Sequence, residues 1–194
     1  MEWVSQSAQA GGYWQVVFEQ AQPSILPIGY RLQSGTADLA LFQQSGNRCL
    51  FLSKHEVSPA ETFTPVLPET SPAWQISSEH EPTLPTDRTF LLLGSDLSIA
   101  RVFHFVQTYG ASHHLVALLH TSDHFPFQVK PAQFLFDGFP AEAIGACPLL
   151  EDWKTLNRLC SDSGQPGCYE GSLEALFEEW SVPKEWEIID LRRD

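Results

Sequence analysis

The chain has 194 residues, 43% of them hydrophobic, which is enough for one medium domain or two small ones with a real core. Its 24 acidic and 11 basic side chains leave a formal charge of −13, which disfavours nonspecific attraction to nucleic acid or anionic lipid. The acidity is dispersed, as on a solvated surface or in a field that guides a basic partner.

No run approaches the ~18 apolar residues that cross a bilayer. The opening MEWVSQSAQAGG has neither the basic nor the apolar region of a leader, so a cytoplasmic protein without membrane insertion is expected. Cys49, Cys147, Cys160 and Cys168 include no Cys-x-x-Cys pair, which argues against a zinc ribbon or an iron–sulfur cluster. Free thiols are expected. A Cys160–Cys168 disulfide is sterically conceivable across a loop but conflicts with that compartment.

In chain order, the first ten residues read as loose. Gly11-Gly12 then precede a β-branched and aromatic strand, Tyr13 to Gln20. A short strand at Tyr30 to Gln33 leads through Ser34-Gly35 to a hairpin of Asp38 to Gln43 and Arg48 to Ser53, turned at Ser45-Gly46-Asn47. Short strands with turns between them predict a small antiparallel barrel or sandwich. Prolines 59, 65, 68, 72, 82 and 85 mark an ordered connection, with Trp74 to Ser77 as a candidate edge strand. The domain boundary is expected near residue 86.

Beyond it, strands and helices alternate. Strand Thr89 to Leu93 ends at Gly94, and helix Ser98 to Tyr109 carries Ile99, Val102, Phe103 and Val106 on one face, with Gly110 as its C-cap. Strand His114 to Leu119, a strand in AQFLFDG, a helix in Ala141 to Trp153 that starts there or only at Pro148, and strand Leu156 to Cys160 follow. Ser172 caps a helix with Leu173, Leu176, Phe177 and Trp180 inward, and WEIIDL is the last strand. His113, His114, His120 and His124 crowd one stretch beside Asp123, but their spacing is that of a fortuitous surface group rather than a metal site. Trp180 and Trp186 pack a core or form a partner-binding edge.

Strand, turn and helix over Thr89 to Gly110 is the first half of a βαβ unit, whose turn commonly holds a phosphate. The order of a small barrel (residues 1–85) and a parallel-sheet α/β domain (residues 86–194) resembles the ferredoxin:NADP reductase superfamily, including flavin reductases and electron-transfer subunits of dihydroorotate dehydrogenase. PIGYRL is similar to that family's Pro-Gly-Gln-aromatic segment, LLLGSDLSIARVFHFV to its strand, Gly-Gly-Thr-Gly-Ile-Ala-Pro and helix, and DSGQPGCYEGSLEALFEEW to its Asp-Asp-Gly loop and following helix. The resemblance implies a flavin, FAD or FMN, between a flavin-binding-like barrel and an NAD(P)-binding-like domain, hydride transfer from NAD(P)H, and a protein electron-transfer partner. It assigns Gly94, Ser95, Asp96 and Ser98 to dinucleotide contact, and Cys168, Tyr169 and Gly171 to a loop over the cofactor.

The chain departs from that pattern in ways that matter physically. With Ser98-Ile99-Ala100 set on Gly-Ile-Ala, the glycines become Ser95, Asp96 and Ser98, and the proline becomes Arg101. Each Cβ crowds an approaching pyrophosphate, and Asp96 brings negative charge to the helix end that attracts phosphate, unless Ser95 or Asp96 simply caps the helix. No Arg-x-Tyr-Ser/Thr signature lies in residues 36–56. The second expectation is therefore a cofactor-free, degenerate reductase-like domain acting as a binding or regulatory subunit.

Overall fold

The computed structural model describes residues 1–67 and 84–192. Its first part is one antiparallel sheet of β1 (Glu2–Ala8), β2 (Trp14–Glu19), β3 (Arg31–Gln33), β4 (Asp38–Ser45), β5 (Arg48–Ser53) and β6 (Thr64–Val66), in the order β1-β2-β5-β4-β3-β6. Alternation in β4 and β5 sends Leu39, Leu41, Cys49 and Phe51 into the barrel-like interior with Val16, Phe18 and Tyr30. The opposite side of the same strands carries Ala40, Phe42 and Leu52 into a second cluster shared with the α/β part. Both faces are buried, which is why these strands read as nearly continuous apolar runs.

The opening residues are corrected by the structure. They form β1, paired with β2 through a register irregularity between Trp3 and Ser5. Its half-exposed, Ser- and Gln-rich sequence gives little hydrophobic signal because it lies at the sheet edge. The candidate strand Trp74 to Ser77 lies outside the described residues.

The second part is a five-stranded parallel sheet of β7 (Thr89–Ser95), β8 (His114–Thr121), β11 (Leu156–Ser161), β12 (Tyr169–Glu170) and β13 (Trp186–Asp190), in the order β12-β11-β8-β7-β13. Three helices accompany it, α1 (Ile99–Tyr109), α2 (Pro148–Asp152) and α3 (Leu173–Glu179). Between β8 and α2 lies a small antiparallel pair, β9 (Lys130–Pro131) and β10 (Gly145–Ala146). AQFLFDG is not a strand; after β9 it runs through bends and turns, with the Phe136 and Phe139 rings stacked 4.7 Å apart. Its Phe136 serves an aromatic cluster with Trp180 and Trp186, which places Trp180 in the core and Trp186 partly buried against it. Of the two starts read for the second helix, Pro148 is the one formed, with proline at its N1 position. Ser172 Oγ accepts from Ala175 N at 3.2 Å and caps α3 as expected. Gly110 ends α1 with right-handed backbone angles rather than a left-handed turn. All four cysteines are free thiols.

Gly94 matters to packing. A Cβ there would lie 2.6 Å from Val102 Cγ2 and 3.3 Å from Ile99 Cα, so α1 approaches β7 as closely as a missing side chain permits. Gly94→Ala is expected to lower stability by about 2 kcal/mol through overpacking of strand against helix. Urea unfolding measures this, and a change within ~0.5 kcal/mol would show that the helix shifts freely away from the strand.

Candidate functional site

In open parallel sheets ligands bind beyond the carboxyl ends of the strands, beside the point where strand order reverses. Here that reversal separates β8 and β13 about β7. Ser95 ends β7, its N–H donating to Ser98 Oγ at 2.8 Å while that hydroxyl donates to Ser95 O at 2.8 Å. This reciprocal pair closes the turn into α1. Asp96, between them, has φ +49°, an uncommon angle for a residue with a Cβ but one that Asp tolerates.

The Asp96 carboxylate reaches across to the loop after β8. Oδ1 accepts from Ser122 N at 3.2 Å and from Thr121 Oγ1 at 3.4 Å, and Oδ2 accepts from Ser122 Oγ at 2.9 Å. Lys54 Nζ, just past β5, lies 3.5 Å from Oδ1. Burial pushes the carboxyl group's pKa up, but the Ser122 hydrogen bonds with the charges of Lys54 and His120 outweigh it, and the pKa falls below its ordinary value. Asp96 thus joins three elements that the sequence keeps far apart. Sequence reasoning missed Lys54 and Ser122, which carry no motif. Arg101 is buried, and its Nη1 donates to Leu191 O at 3.5 Å.

The other strand-end loops are laced together. Asp123 O accepts from Ser163 Oγ and Gln165 Nε2, both at 2.7 Å. His120 Nε2 lies 3.1 Å from Asp162 Oδ1, and His124 Nδ1 lies 2.6 Å from Asp123 Oδ1. His113 sits just before β8 instead, one ring nitrogen 2.9 Å from Leu84 O, so the four histidines divide between opposite ends of the strand. Among the described residues no group of three or more His, Cys, Asp or Glu is arranged to hold a metal.

The structure brings Gly94, Ser95, Asp96 and Ser98 together at the β7–α1 turn. Cys168, Tyr169 and Gly171 lie on the far side of β11. Cys168 is buried, and burial pushes its thiol up to about 11. Tyr169 pairs with Cys160 in the sheet and packs with Leu173, Leu176 and Trp180, while Gly171 N donates to Ser161 O at 3.1 Å. Cys147 is sealed at the start of α2, its thiol pushed up to about 12, chiefly by burial.

The two parts of the chain meet over a continuous apolar surface. Phe42 of β4 meets Phe103 of α1 edge to face at 6.3 Å. Gln107 of α1 accepts from Gln44 N at 2.9 Å and donates to Gln44 O at 2.8 Å, pairing with β4 backbone as a neighbouring strand would. Tyr13 lies beneath Lys54, 5.6 Å from ring centroid to Nζ, and its buried hydroxyl has no partner among the described residues. Burial first, then the Asp96 and Asp123 charges, raise the Tyr13 pKa. Beside these contacts lies a pocket of about 230 Å³ walled by Phe42, Leu52, Phe103, Phe127 and Leu149, smaller than the ~300–1,000 Å³ common for ligand sites.

No protein-family model matches the sequence, and no curated protein does. Solved structures do. An Amycolatopsis cytochrome P450 reductase superposes with a TM-score of 0.59 at 13% identity, over 97% of this chain and 60% of that one. The flavohem-like FAD/NAD binding domain of nitric oxide dioxygenase from Vibrio cholerae O1 biovar El Tor gives 0.59 at 9% identity, over 97% and 85%. Flavohemoglobin from Malassezia yamatoensis, solved with FAD and heme, gives 0.58 at 12%, over 97% and 51%. The chain thus spans less than two thirds of the first and third of these relatives. At such identities the similarity speaks for architecture, and it agrees with a six-stranded antiparallel sheet joined to a five-stranded parallel one. The chain has the ferredoxin:NADP reductase-like fold.

Proposed function

We propose that this chain is a reductase-like domain that does not hold a flavin or nicotinamide cofactor and acts as a binding or regulatory subunit. The observation that carries this reading is Asp96. Its carboxylate, kept ionised by Ser122 and Lys54, occupies the turn where a phosphate would need backbone N–H groups and no negative charge. A phosphate entering that turn would meet a like charge in a partly buried site, where repulsion is stronger than in bulk water. The junction gives the same indication for a flavin, since Phe42, Phe103 and the Gln44–Gln107 pair pack the two parts directly together. A charge of −13 suits a basic protein partner.

A second reading keeps the activity, an NAD(P)H-dependent flavin oxidoreductase passing electrons to a protein acceptor. It is favoured by the FAD- and NAD-binding relatives of the same fold. Titration of the purified protein with FAD, FMN, NADH and NADPH separates the two. No quenching of flavin fluorescence and no nucleotide binding up to about 1 mM is expected. A yellow protein bleached by NADH or NADPH would establish the second reading instead.

A further inference from the structure

Away from the strand ends, a surface cavity of about 420 Å³ opens between the segment after β2 and the outer face of α1. Its walls are Pro23, Ser24 and Ile25, the β4–β5 hairpin at Gln44 and Gly46, and His104, Gln107 and Thr108. The last three fall at i, i+3 and i+4 of α1 and form one face of it.

The polar groups of this wall are almost all engaged within the protein. Gln107 is bound to the Gln44 backbone, and Gln44 Nε2 donates to Ser24 O at 2.6 Å and Gly46 O at 3.2 Å. Gln44 Oε1 accepts from Leu26 N, Ser24 Oγ from Gln20 Nε2, and His104 O from the Thr108 hydroxyl. His104 is the exception. It is 4% exposed, and its Nδ1 is sealed from solvent with no partner among the described residues. An orphaned lone pair is tolerated better than an orphaned N–H, so the neutral ring places its proton on Nε2, the nitrogen left toward the cavity.

We propose that this cavity binds a small, uncharged, mainly apolar molecule carrying one hydrogen-bond acceptor, which receives the Nε2–H of His104. Elsewhere an entering ligand meets proline, isoleucine, the Gln44 and Gln107 amides bonded as above and, at the exposed rim, the Ser24 and Thr108 hydroxyls, so the imidazole is the one buried polar group it meets. Burial holds the His104 pKa down to about 4, so the ring stays neutral through the physiological range and has no charge to offer an anion. The wall draws on both the antiparallel part and α1, so an occupant bridges the two parts of the chain. The inference is independent of cofactor binding at the strand ends, because no residue is shared between this wall and the β7–α1 turn.

Acetophenone, a neutral aromatic ketone, serves as the probe, with benzoate and benzylamine as charged counterparts of similar size. Titration of the protein with histidine rings labelled in ¹⁵N follows Nδ1 and Nε2 directly. Saturable shifts of the His104 nitrogens are expected, with a Kd of about 1 mM or tighter and at least about tenfold weaker binding of both charged compounds. His104→Leu removes the donor, and Ser24→Trp fills the mouth from an exposed position, leaving the buried ring in place. Both are expected to weaken acetophenone binding about tenfold or more. Absence of a saturable shift, equal binding of benzoate, or unchanged affinity in Ser24→Trp would overturn the proposal.

Discussion

Gly11→Ala is expected to destabilise the protein by about 3 kcal/mol, whereas Gly12→Ala, one residue on, should cost only about 1 kcal/mol. Both glycines have positive φ, +63° and +76°, so both substitutions carry the left-handed penalty of an added Cβ. Only at Gly11 does the new atom meet anything. It would lie 2.4 Å from Phe125 O and 2.8 Å from His124 Cβ, whereas at Gly12 nothing lies within 4 Å. Backbone cannot swing aside as a flexible side chain can. The turn between β1 and β2 is therefore seated directly against the loop after β8, and the difference between the two variants reports that contact. For a chain of this size, about 3 kcal/mol corresponds to a fall in Tm of roughly 6–12 °C. Equal losses in the two variants, measured by thermal or urea unfolding, would mean that the two parts do not touch there in solution.

That contact also marks the limit of what the sequence discloses. Thr89 to Gly110 was legible because its pattern is local: an apolar strand, one glycine, and a stripe at helical spacing. β4 and β5 were legible for a related reason, since strands buried on both faces announce themselves by composition. β1 was not, because a polar edge strand owes its structure to pairing with β2 rather than to its own residues. AQFLFDG misled in the opposite direction. Phe136 is apolar for packing against Trp180 and Trp186, while Gly138 and Pro140 turn the chain away from regular pairing. At the candidate site, the sequence disclosed the carboxylate but not its destination. Nothing about Lys54 or Ser122 points to Asp96, since their meeting depends on how two sheets are set against one another.

The same long-range meeting makes Asp96 the place to test whether the turn is merely capped or still a latent phosphate site. Asp96→Asn keeps the shape and the tolerance for positive φ but removes the charge that Ser122 and Lys54 hold. At a side chain still 30% exposed, solvent screening limits the loss at neutral pH to about 1 kcal/mol. Because the folded-state pKa of Asp96 lies below its unfolded value, its contribution is complete above the unfolded pKa of about 4 and is lost as pH falls through the lower folded value. Asp96→Asn should therefore match the wild type most closely in acid, fall behind it as pH rises from the lower folded value to about 4, and keep a constant deficit above that, which chemical denaturation at a series of pH values measures. Asp96→Gly goes further. It relieves the left-handed strain but gives up every carboxylate contact, for a net loss of about 1 kcal/mol. It restores a glycine without restoring the loop, because Ser95 and Ser98 still bridge the turn and Gly94 still faces Val102. Its affinity for NADPH is accordingly expected to stay beyond about 1 mM, as for the wild type. A gain of tenfold or more in a fluorescence titration would show that one carboxylate alone separates this turn from a working phosphate site, and would move the chain from binding subunit toward a reductase held in check.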